Sequence, residues 1–137
     1  MNLFDSQVDE IVCNVSSFSV IFQMITLFKQ ASWAIQNIAG TGSKYRDMCL
    51  EKEYVNKLLQ MLERFPNSNG LRNSISQAMV ALCYQKPYPD WEKILPALPV
   101  FQKHISTIDS PEILENALWC IGCIASIVFS LIDLITN

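Results

Sequence analysis

The sequence predicts an all-α protein of the right-handed superhelical solenoid type with about three repeats, and two observations on its 137 residues predict it. Apolar residues recur at three- and four-residue spacing over 19–39, 54–64, 71–84 and 111–126, the period of a helix that buries one face, and no comparable stretch alternates as a strand does. The helix ends also repeat along the chain at a nearly constant interval. Half of the residues are apolar, so there is enough hydrophobic surface to build a core.

The punctuation between these segments supports each element in turn. The first ends at Gly40-Thr41-Gly42. Pro66 with Asn67-Ser68-Asn69-Gly70 separates the second from the third, and Pro87-Tyr88-Pro89 stops the third. Asp109-Ser110-Pro111-Glu112 predicts the start of the last helix, with Ser110 as N-cap, Pro111 at the first helical position and the acidic Glu112 close behind. Three helices end alike, in Asn37-Ile38-Ala39, Ala81-Leu82-Cys83 and Cys123-Ile124-Ala125, which brings Trp33, Gln77 and Trp119 into register at intervals of 44 and 42 residues. Those intervals lie within the roughly 40–47-residue period of HEAT and armadillo arrays. Each repeat then supplies a long helix that packs one face on its neighbours and turns the other to a concave groove. The expected division is a partial repeat at 1–40 with a divergent N-terminus, repeats at 41–84 and 85–126, and an apolar extension at 127–137.

Charge and cysteine content narrow the function. Ten Lys and Arg against thirteen Asp and Glu give a net charge of −3, and no basic block is long enough to follow a phosphate backbone. Direct nucleic-acid binding is therefore not expected, and a basic partner suits this surface better. The five cysteines (Cys13, Cys49, Cys83, Cys120, Cys123) form no dense disulfide framework and fit a reducing compartment as mostly buried thiols. Trp119-Cys120-Ile121-Gly122-Cys123 has the spacing of a thiol oxidoreductase motif, but it falls in mid-helix, away from the helix N-terminus that would activate its first thiol. His104 has no Ser, Cys or carboxylate at a catalytic spacing, and with scattered cysteines it does not complete a four-ligand zinc site. Gly40-Thr41-Gly42 follows a helix instead of a strand, so it is no phosphate loop. No enzyme activity, metal or cofactor is expected.

Ala31-Ser32-Trp33-Ala34-Ile35-Gln36-Asn37-Ile38-Ala39-Gly40 resembles the groove-lining third helix of an importin-α armadillo repeat, with Ser43-Lys44-Tyr45-Arg46-Asp47 opening the next repeat. Lys86-Pro87-Tyr88-Pro89-Asp90-Trp91, Ile94-Leu95-Pro96-Ala97-Leu98 and Asn116-Ala117-Leu118-Trp119-Cys120-Ile121 follow in the family's order, through what resemble its third to fifth repeats, from about residue 29 to 126. The resemblance implies a peptide-binding module of the nuclear-import-adapter type, found in cytoplasm and nucleus. Its partners would be cargo proteins bearing basic nuclear localisation signals and an importin-β-like carrier. In that family, Trp rings form slots for Lys or Arg stems and Asn amides clamp the peptide backbone. The resemblance carries these roles to Trp33 and Asn37, with Trp119 as a second slot. Gln77, Ala81, Cys123 and Thr41 depart from the pattern, which implies weakened cargo binding. No basic arm precedes the repeats, so a fragment or truncated relative is expected.

Two other readings fit parts of the chain. Leu118 to Ile135 contains a single charge, Asp133, and approaches the length of a membrane span, although 118–126 already match a repeat helix. Val20 to Phe28 and the residues from Ile127 onward are apolar ends that would leave sticky surface on a structural or dimerising fragment.

Overall fold

A computed structural model describes residues 3–106 and 110–137. One long helix, α1 (Leu3–Gly40), is followed by α2 (Ser43–Glu51), α3 (Tyr54–Arg64) and α4 (Asn69–Cys83). A second set repeats the order: α5 (Trp91–Ile94), a 3-10 turn at Leu95–Ala97, α6 (Leu98–Ser106) and α7 (Pro111–Thr136). The described residues contain no strand. The central helix α4 packs most extensively on α1 and next on α7, while α2 and α3 lean on that layer and α6 leans on α7. Long helices side by side, joined by shorter ones, make an armadillo-like solenoid.

The core follows from the apolar spacing of each helix. Leu58 of α3, Leu71, Ala78 and Leu82 of α4, Ile94 of α5 and Ala117 of α7 are all fully buried. At Ser32, Ala78 and Ala117 the side chains are short, which lets the long helices approach closely; Ser32 Oγ satisfies itself by donating to Phe28 O at 2.8 Å. Between α4 and α7 one buried polar link is fully paired: Asn116 Nδ2 donates to Ser76 Oγ at 2.9 Å, and Ser76 Oγ donates to Asn73 O at 2.8 Å. His104 of α6 is buried rather than on the surface.

Side chains cap the starts of α4 and α5. Ser68 accepts from Leu71 N at 3.3 Å and Asp90 from Glu92 N at 3.1 Å. Ser110 occupies the N-cap position of α7 with Pro111 first, but its hydroxyl donates to Glu112 Oε2 at 2.7 Å instead of capping a backbone N–H. Asp109, the remaining residue of the expected helix start, lies outside the described residues.

Arg46 of α2 is completely buried. Its Nη1 donates to Tyr84 O at 2.8 Å and Gln85 O at 2.5 Å, and its Nη2 to Pro87 O at 2.6 Å, while Nε and Nη2 both reach Asp47 Oδ1, at 3.1 and 2.9 Å. The loop that leaves α4 is thereby pinned to the start of the preceding helical set. One buried side chain thus satisfies three loop carbonyls.

The two ends contrast with this core. Every side chain from Ser6 to Gln23 is exposed, including Phe18 and Phe22, and so are Phe129, Leu134 and Ile135 at the end of α7. By length and composition alone α1 and α7 are each apolar enough to cross a membrane. However, Cys120, Ile124 and Ile127, inside the most apolar run of α7, are buried in the helical core.

Replacing Arg46 with Met keeps the aliphatic stem and strips the loop of its donors. The expected loss is about 3 kcal/mol or more of unfolding free energy, from three orphaned carbonyls. Urea denaturation measures it, and hydrogen exchange should localise the new opening to residues 84–89.

Candidate functional site

The concave side of α1, α4 and α7 carries two adjoining hollows. The first, about 410 Å³, lies between the C-terminal turns of α1 and α4. Asn37 and Thr41 line it from one side and Gln77 and Ala81 from the other, so helix positions one repeat apart converge. Thr41 Oγ1 is turned back to Asn37 O at 2.8 Å, which leaves the Asn37 amide as the polar group facing the space. Gln36 and Gln85 add further amides, and no Lys, Arg, Asp or Glu lines this hollow. Such a surface offers donors and acceptors without charge, which suits a peptide backbone.

The second hollow, about 1090 Å³, lies between the loop after α4 and the middle of α7. Trp119 and Cys123 line it, and the Tyr84 ring stands 6.2 Å from the Trp119 ring at a 43° tilt. Tyr84 and Gln85 border both hollows. The Gln85 backbone sits at φ 79°, a region that costs a non-glycine residue of order 1 kcal/mol. Arg46 holds its carbonyl there, and its own Nε2 donates to Gly40 O at 3.3 Å. Among the described residues, the Lys, Arg, Asp or Glu side chains lining the second hollow are Lys86 and Glu115, one of each sign. Lys86 Nζ stands 5.6 Å over the Tyr88 ring.

Asn37, Thr41, Gln77 and Ala81 are thus brought together, Trp119 and Cys123 meet in the neighbouring hollow, and Trp33 lines neither. Trp33 is 64 % exposed, one helical turn before Asn37 on α1. Tyr84, Gln85 and Tyr88 are site residues that the sequence pattern did not single out. Their segment reads as a helix stop, and the recurrence of tyrosines around a Lys-Pro step was the available signal.

Three of the thiols, Cys49, Cys120 and Cys123, are poorly suited to nucleophilic chemistry. The Cys120 thiol is held far above its ordinary range, first by its hydrogen bond with Cys83 and then by burial. Burial also pushes Cys123 up, and it raises Cys49 against the opposing pull of Lys52. A protonated, buried sulfur is a weak nucleophile. Among the described residues no cluster of three His, Cys, Asp or Glu could hold a metal ion.

No family model matches the chain. Importin subunit alpha-1b of Oryza sativa subsp. japonica is 35 % identical over 94 residues, 69 % of this chain and 17 % of that protein. This is an importin-α-like armadillo segment. Importin subunit alpha-2 of Arabidopsis thaliana is 32 % identical over the same shares, and importin subunit alpha-8 of that plant is 31 % identical over 112 residues, 78 % of this chain and 24 % of the relative. The importin-α-like chain therefore spans about a fifth of the length of these curated relatives.

The raised thiols predict a pH dependence. The folded state holds these protons more tightly than the unfolded chain, so their contribution is complete below about pH 8.5, the unfolded thiol pKa, and fades as the pH rises above it. Urea midpoints should fall between pH 7 and pH 10, and fall less in Cys120→Ala.

Proposed function

We propose that this importin-α-like chain is a peptide-binding module of the nuclear-import-adapter type that takes a basic, nuclear-localisation-type segment of a cargo protein. The observation that carries the reading is the convergence of Asn37, Gln77 and Gln85 on one uncharged hollow beside the exposed ring of Trp33. Amides spaced along a groove can hydrogen-bond an extended backbone regardless of its side chains. A Lys or Arg of the same peptide can lay its stem and charge on the Trp33 face. The repeats at 41–84 and 85–126, with a partial one in 1–40, form the scaffold in this reading. Cytoplasm and nucleus are its places of work, and an importin-β-like carrier is a further partner.

Where Trp33 and Asn37 offer a ring and an amide, Gln77 offers an amide without a ring and Ala81 offers neither. A missing aromatic slot forfeits about 1 kcal/mol, so affinity is lower by about fivefold to tenfold per lost slot. Fluorescence anisotropy of a labelled Lys/Arg-rich peptide at low salt provides the test. Saturable binding is expected, weakened at least about fivefold in Trp33→Ala and in Asn37→Ala. A well-folded protein that binds no such peptide would overturn the reading.

A second reading, self-association, is favoured by the exposed apolar residues at the two ends, Phe18 and Phe22 on α1 and Phe129 and Leu134 on α7. It predicts a concentration-dependent mass in light scattering, reduced when Phe18 and Phe129 are replaced by Ser.

A further inference from the structure

The larger hollow differs in chemistry from the amide-lined one. One wall is the Tyr84–Trp119 pair, whose 43° tilt makes a wedge instead of two parallel plates. Leu114, Leu118 and Cys123 continue the apolar lining along α7. Gly122 of α7 also lines the space, and a Cβ added there would meet nothing within 4 Å. Charge does not favour a cation inside. Glu115 is matched by Lys86, and the Lys86 ammonium already lies over the Tyr88 face. A second ammonium would meet that fixed positive charge and lose hydration in an apolar recess. An aromatic ring would bury most of its surface there and find offset or edge contacts with Tyr84 and Trp119.

The geometry points to this hollow as the receptor for one bulky aromatic side chain of the bound peptide, next to the positions where its basic residues lie. The inference rests on the peptide-binding reading and gives that peptide a mixed character: a backbone clamped by Asn37, Gln77 and Gln85, a cation on Trp33, and a Phe, Tyr or Trp in the wedge. Tyr84 and Gln85 border both hollows, so one extended chain can pass from the first to the second without leaving the surface.

A single Lys→Phe replacement walked along the labelled basic peptide tests this, measured by anisotropy on the whole chain. One position should gain about tenfold in affinity. That gain should vanish in Gly122→Leu, whose side chain enters the hollow from open space and leaves the core untouched, while the unsubstituted peptide still binds. Tyr84→Ala, at a half-exposed site, should remove the same gain; circular dichroism checks that both variants fold. If every Phe replacement weakens binding, or the gain survives both variants, the aromatic receptor is overturned and the basic-peptide reading stands. If no peptide of the series binds at all, both fall together.

Discussion

The buried guanidinium of Arg46 is the contact on which the loop bordering both hollows depends. A loop that leaves a helix and turns past two prolines takes its carbonyls out of the helical hydrogen-bond pattern, so they need other partners. Arg46 satisfies those of Tyr84, Gln85 and Pro87 with its planar fork, and the half-exposed Asp47 balances its charge. Lysine has neither the reach nor the fixed geometry for this arrangement. Tyr84 and Gln85 border both hollows, so the position of one buried cation determines the shape of the whole groove.

The helical class was legible because it depends on the spacing of apolar residues alone. Where that spacing is masked, the sequence was silent. The buried face of α2 is built from Arg46 with Cys49 and Leu50, and a charged residue at its centre hides the amphipathic period. For α1 the expected span began at residue 19, whereas the helix starts at Leu3, because its apolar residues lie all around and leave no stripe to count. Asn37 and Ala81 could be matched by the 44-residue interval, as could Trp33 and Gln77, and of these Asn37, Gln77 and Ala81 do line one hollow. Tyr84, Gln85 and Tyr88 could not be found that way. Loop side chains take their places from hydrogen bonds made elsewhere in the chain, and no periodicity records those bonds.

The relation to importin-α supplies the scaffold, and the local substitutions set its chemistry. Gln77 and Ala81 give the first hollow an uncharged lining, whereas Tyr84 and Trp119 place aromatic surface one step further along. The result is a groove with polar and apolar compartments side by side.

The polar ties between successive helical sets all span a similar length of chain: 38 to 41 residues from Arg46 to its loop carbonyls, 40 between Ser76 and Asn116, and 45 between Gly40 and Gln85. Each tie joins a set only to its nearest neighbour, so the molecule behaves as a short one-dimensional lattice. In such a lattice loosening one unit removes the partners of the next. The groove, which lies across the junctions, therefore melts and re-forms as a unit with the repeats that frame it.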